Sequence, residues 1–310
     1  MIAANRYALN LLFHTLNAKG DLIIIFAIGL LLAVTMMLLL SFSDIFSKPV
    51  ADRFGAFAGS LYLGVALLPA IAYLALSPPA QVTPLLVMLA VGAGVTLALG
   101  YLFVLKSLET EQATNTWGLI NLGYLSIILF GVLVLGEHVT VLQAVAIAVI
   151  LVGAMMVTIN KGMKFNRQLF PALIGNLFWV GFNVLIIYGI NAYTSSPSAI
   201  IFIVFASGFL ILLFYGVVSQ KIKIARKLTM RKNGKPFAMF LASGILLGAG
   251  QIAFALVILQ RFVALGGAVL AMEPMVVLIA GYTMYREHIT AFQGVGILIT
   301  VVGAAILSLL

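Results

Sequence analysis

From residue 22 onward the chain is a succession of apolar runs of about twenty residues, broken by short polar or charged stretches. A helix needs about that length to cross roughly 30 Å of hydrocarbon. Barrel strands would alternate apolar and polar positions; these runs do not. The pattern predicts helical spans at 22–50, 55–76, 85–105, 117–135, 142–159, 172–190, 199–218, 237–259, 264–285 and 290–310. The expected class is therefore an all-α, polytopic integral membrane protein with ten transmembrane helices. Composition agrees, because 64% hydrophobic and 8% charged residues cannot cover a water-soluble surface at 310 residues. The first run is too long for a cleavable secretory signal and follows a mixed segment holding Arg6, His14 and Lys19, so it is expected to stay as its own anchor.

One polar phrase is written twice. "EHVTVLQAV" at 137–145 returns as "EHITAFQGV" at 287–295. A shift of 150 residues superposes Glu137 on Glu287, His138 on His288, Thr140 on Thr290 and Gln143 on Gln293, and continues through Gly131 with Gly281, Gly100 with Gly250 and Gly94 with Gly244. Each copy holds five predicted spans, and five is odd. The second copy must then enter the membrane from the opposite side, as in the inverted repeats of transporters, whose substrate sites lie near the midplane between the copies. The expected organisation is an N-terminal segment at 1–21, a first repeat at 22–160, a linker at 161–171 and a second repeat at 172–310 with a basic loop at 219–236. Thr140 with Gln143, and Thr290 with Gln293, have the spacing of a capping box that satisfies free N–H groups where a helix enters lipid. Glu137 and Glu287, three residues ahead of each cap, are expected to favour the positive end of the helix that follows.

Charge and cysteine content narrow the chemistry. Cysteine is absent and the three histidines, His14, His138 and His288, are scattered, so thiol chemistry is excluded and a metal cluster is not expected. No cofactor is implied. The net charge of +9 is concentrated in Lys221, Lys223, Arg226, Lys227, Arg231, Lys232 and Lys235, with Lys161, Lys164 and Arg167 as a second group on the same side by helix parity. Basic loops beside a membrane act as orientation signals and attract anionic lipid headgroups. The larger loop, 219–236, carries no aromatic residue for base stacking, so nucleic acid is not an expected partner. No nucleophile and base pair or paired aspartates stand within the spans, so an enzyme is not indicated.

Polar side chains inside apolar spans are the candidate site, because a charge at the bilayer centre costs at least about 2.5–3.5 kcal/mol and persists only when paired or hydrated. Glu273, midway along the ninth span and just before Pro274, is the first of these. Such a carboxyl can carry a proton, which opens proton coupling; the structural reading is a protonated Glu bonded between helices. Asp44 and Lys48 are four apart on the first span and share a face, where either the two neutralise each other or Lys48 lies near the membrane edge and snorkels to the headgroups. Asn176, Trp179 and Asn183 form one stripe in the sixth span, and Trp117, Asn121 and Tyr124 another in the fourth. Tyr101 and Gln251 occupy matching places in the third and eighth. Polar-tipped aromatics suit a cavity that holds an organic solute, although Trp and Tyr also populate interfacial belts and Asn also bonds across helices. Gly244 with Gly248, and Gly94 with Ala98, have the small-residue spacing that lets helices approach closely.

The stretches "VLGEHVTVLQAVAIAVILVGA" and "EPMVVLIAGYTMYREHITAFQGVGILITVVGA" resemble the paired signatures of the EamA-like branch of the drug/metabolite transporter superfamily, and "NLFWVGFNVLI" is similar to its start-of-repeat helix. The match of "LLSFSDIFSK" to that helix is looser. The resemblance runs over nearly the whole chain from about residue 22 and implies ten helices around a central cavity, transport of small metabolites by alternating access, and no enzymatic activity. The chain departs from the pattern at Tyr124, where family members often carry proline, at Arg286 in place of the Gly before the second Glu, and at Ser41 and Asp44 in the first span.

Two functional readings follow. One is a secondary transporter of an amino acid, an amine or an aromatic compound, with proton coupling at Glu273. The other is a non-transporting membrane scaffold or receptor whose polar stripes only glue helices together. Orientation divides the signals: helix parity places Arg6, Lys19 and Arg261 with the termini and the other fourteen of 17 basic residues opposite, which puts the termini outside, whereas the resemblance implies cytoplasmic termini. The size of the basic cluster favours the charge rule.

Overall fold

A computed structural model describes residues 18–109, 116, 120, 123–158, 170–219, 221, 234–285 and 288–308. Regular structure among them is helical throughout: α1 (Ala18–Ser60), α2 (Tyr62–Leu76), α3 (Pro84–Leu108), α4 (Tyr124–Leu133), α5 (Val141–Thr158), α6 (Phe170–Ala192), α7 (Pro197–Val218), α8 (Gly234–Leu259), α9 (Val263–Leu270), α10 (Glu273–Tyr285) and α11 (Ala291–Ser308). Six apolar helical stretches among the described residues are long enough to cross a bilayer, and four shorter apolar helices accompany them. The molecule is a multi-pass integral membrane protein.

Its surface is the strongest physical sign of that. Large apolar side chains such as Leu31, Met88, Leu177, Phe214 and Leu298 point outward, while Ser41, Ser43, Asp44, Asn183, Gln251 and Glu273 are buried. Water would penalise both placements; acyl chains favour the first and leave polar groups to find partners inside.

Two helix breaks have identifiable causes. At Gly55 the backbone takes φ 83° and ψ 164°, a region essentially reserved for glycine, and the chain turns there from the first span into the second. The ninth span, expected as one helix, is two. Pro274 has no N–H and its ring would strike the carbonyl of Leu270, so α9 ends at Leu270 and α10 starts at Glu273 after a tight turn in which Met272 N donates to Val269 O at 3.0 Å.

Packing falls into two groups. α1, α2, α3, α6, α7 and α8 interlock, and α4, α5, α9, α10 and α11 form a second set, the two meeting chiefly where α1 lies against α9 and α10 and α4 against α6. In the first set close approach depends on glycine: a Cβ on Gly244 would stand 2.6 Å from Tyr62 O, and one on Gly248 2.7 Å from Ala66 O. Gly94, the counterpart of Gly244 at the 150-residue shift, lies equally tight against α7, where a Cβ would meet Gly208 N at 3.0 Å. Ser43 and Ser243 lock α1 to α8 reciprocally, each hydroxyl donating to the other's carbonyl at 2.9 and 2.8 Å. The pairings also come in matched sets. Exchanging the first five segments in chain order for the second five turns the α1–α8 contact into α6–α3 and α3–α7 into α8–α2, while α2–α7, α4–α9 and α5–α11 map onto themselves.

Candidate functional site

The break before Pro274 places Glu273 in the first turn of a helix in mid-bundle, fully buried, where α10 faces α1. Tyr124, from α4, donates its hydroxyl to Glu273 Oε2. Asp44 of α1, 2% exposed, lies within hydrogen-bonding reach of the Glu273 carboxyl. A carboxylate only accepts, so two carboxyls in such contact can bond only through a shared proton. Among the described residues the buried charged side chains are these two acids, with no buried Lys or Arg beside them.

An aromatic wall continues from the acids. Tyr62 and Tyr101 neighbour Asp44, and their rings meet edge-on at 5.2 Å. Tyr101 meets Trp179 edge-on at 4.7 Å, and Trp179 lies 5.9 Å from Phe182. Asn183 is buried one turn beyond Trp179, and Gln251 is buried on α8. Asn183 Nδ2 and Gln251 Oε1 are buried without a hydrogen-bond partner, and Asp44 Oδ1 and Glu273 Oε1 have no donor other than the proton the two acids share. Unpaired polar atoms in low dielectric are expensive, and several around one aromatic wall mark a place built for something other than packing.

Asp44, Tyr101, Tyr124 and Glu273 of the predicted residues thus come together, with Trp179 attached through Tyr101. Asn183 and Gln251 are buried on α6 and α8. Asn176 sets its Oδ1 against Gly123, the residue before Tyr124 at the start of α4. Trp117 and Asn121 lie outside the described residues. Lys48 departs from expectation: its Nζ pairs with Asp52 at 3.4 Å, one turn further along α1 toward the exposed end, and Asp44 meets Glu273. The Lys48 side chain is itself 12% exposed and meets its partner at the edge of the bundle, where Asp52 is 45% exposed. Tyr62 was missed. A tyrosine in a mostly apolar second span is the available signal, shared there with Tyr73.

The repeated phrase is resolved as well. Thr140 and Gln143 form the reciprocal box, with N–H to side-chain oxygen distances of 2.9 and 3.2 Å, and Thr290 and Gln293 repeat it at 3.0 and 3.3 Å. Gln293 also donates to Val157 O at 3.1 Å, joining α11 to α5. Glu137 does not serve the helix that follows it. Its two oxygens accept from Val263 N at 2.8 Å and Ala264 N at 2.7 Å, capping α9. Gly136, at φ 68°, makes the turn that carries it there, and Gly131 leaves room, since a Cβ would stand 2.8 Å from Ala264 N. Burial pushes the Glu137 carboxyl above the usual carboxylate range, opposed by the Ala264 and Val263 N–H groups and by the Arg261 charge. Glu287 lies outside the described residues.

Residues 27–159 match the EamA-like transporter family, which bears out the resemblance read from the repeat ends. The match supports a membrane transporter in general. No curated protein matches the chain. A crystal structure of another protein superposes with a TM-score of 0.64 at 17% identity, covering 91% of this chain and 97% of its own, a likeness of fold alone.

Proposed function

We propose, from the match of residues 27–159 to a transporter family, that this protein is a secondary transporter moving a small organic metabolite, an amino acid, an amine or an aromatic compound, across the cell membrane by alternating access with proton coupling through Glu273. The observation that carries the reading is the contact between Asp44 and Glu273, two buried acids on opposite sides of the line where the two helix groups meet. A group whose charge state changes at such a seam alters the contact between the parts that must move. Ser43 with Ser243 ties the first group internally, and Glu137 with Val263 and Ala264 the second.

The architecture proposed with it is two inverted five-helix repeats around a central cavity. The 150-residue register and the packing pairs that exchange between halves support it, as does a family match confined to the stretch read as the first copy. The basic loop, mostly outside the described residues, is proposed to rest on anionic headgroups, and nucleic acid is not proposed as a partner.

Proteoliposomes with an imposed pH gradient test the function. Uptake or efflux of one of these solute classes is expected to follow the gradient, and Glu273→Gln is expected to uncouple it while the protein remains folded. Unchanged pH dependence in that variant would remove Glu273 from the mechanism. Absence of any transport would favour the scaffold or receptor reading.

A further inference from the structure

Resting on the transporter reading, we propose that the acid pair binds an organic monocation, an ammonium carried on an apolar or aromatic body, and that the cation enters in exchange for the proton held between Asp44 and Glu273. Three observations select this class from the amino acids, amines and aromatic compounds left open above. The first is charge. Two carboxyls face one another with no buried Lys or Arg among the described residues, and Lys48, one turn along α1 with its side chain 12% exposed, is in an ion pair with Asp52. A zwitterion or an anion would bring another carboxylate into a place with no base to receive it, and like charges desolvated together repel strongly.

The second is hydrogen-bonding capacity. Asp44 Oδ1 and Glu273 Oε1 are buried acceptors with no donor once the shared proton has left, since the hydroxyl of Tyr62, 1% exposed and near Asp44, is bonded with that of Tyr101. A primary ammonium offers three donors and no acceptor. The third is the wall. Tyr62, Tyr101 and Trp179 run edge to face from the acids, and aromatic faces attract cations once water is excluded.

The exchange balances. With one proton shared, the pair carries a single negative charge. When a cation enters and that proton leaves to water, two carboxylates and one ammonium again sum to a single negative charge. The titratable groups facing the pair are the phenols of Tyr62 on α2, Tyr101 on α3 and Tyr124 on α4, while α5, packed against α10, contributes none. Because Asp44 and Glu273 stand on different helix groups, exchanging a shared proton for a bridging cation resets the seam between them.

The test uses four probes with one ring and different charge: 2-phenylethylamine, phenylalanine, 2-phenylethanol and phenylacetate. Titration calorimetry of the full chain in detergent, run in two buffers of different ionisation enthalpy, counts protons released. Only the amine is expected to bind with release, at about one proton per ligand. Asp44→Asn and Glu273→Gln are each expected to abolish release and weaken amine binding by roughly tenfold or more. The wild-type proton count stands whether or not these variants fold. Amine binding without proton release, or preferential binding of phenylalanine or phenylacetate, overturns the proposal. Uptake of a neutral or anionic probe by proteoliposomes with the amine inert overturns it while leaving transport intact. Amine binding with proton release but no uptake supports the cation site and sinks the transport reading.

Discussion

Replacing Glu137 with alanine isolates the contact that the repeated phrase builds. The substitution leaves two N–H groups, on Val263 and Ala264, without the carboxylate that accepts from them at 2.8 and 2.7 Å. Hydrogen bonds to a charged acceptor contribute about 1.5–3 kcal/mol each, and the positive end of α9 adds a few tenths. Glu137 is only half-buried, so the lower end of each range applies and water recovers part of the loss. About 2–3 kcal/mol is the expected cost. At roughly 2–4 °C per kcal/mol for a chain of this size class, the apparent melting temperature in detergent is expected to fall by several degrees. Glu137→Gln keeps one acceptor and is expected to lose about half as much. The pH dependence has a definite sign. A carboxyl raised by burial contributes stability fully present below its unfolded value, near 4.5, and lost as pH rises through the higher folded value. Wild type is therefore expected to lose a little stability over that window relative to Glu137→Gln, which has nothing to titrate there. If the alanine variant melts with wild type, or if alanine and glutamine variants are equally impaired, the carboxylate is not capping α9.

Three further outcomes follow from the fold. Gly248→Leu places a side chain against the carbonyl of Ala66 and is expected to cost at least about 1–3 kcal/mol, measured as lost yield and a lower melting temperature; a neutral result would mean that α2 and α8 are not in backbone contact. Thr290→Ala removes the acceptor of Gln293 N and is expected to cost about 1 kcal/mol in the same assay, with Thr290→Ser restoring most of it. Tags at the two termini are expected to be accessible from one face only, and the charge asymmetry puts that face outside; opposite accessibility would mean an odd number of spans.

Much of the helical layout was legible in the chain because lipid imposes it locally. A helix satisfies its own backbone, so apolar run length sets where spans lie, and glycine and proline mark their ends: Gly55 opened the second span, as its position between two runs suggested. The capping boxes at Thr140 and Thr290 were legible for the same reason, their partners being three residues away. Asp44, Tyr101, Tyr124 and Glu273 were recognisable as costly polar residues in apolar runs, without indication of which would touch which.

Partnership across the bundle was decided only by tertiary structure. Spacing of four joined Lys48 to Asp44 as readily as to Asp52, and only the depth of each residue in the bundle separated the two. Glu137 was assigned to the helix next in sequence, yet it caps one whose first residue is 126 positions away. Tyr62 looked like any aromatic in a span until α2 placed it beside Asp44. Hydropathy is a property of each residue against its solvent, whereas a hydrogen bond or a shared proton is a property of two positions, and distance between positions is what packing supplies.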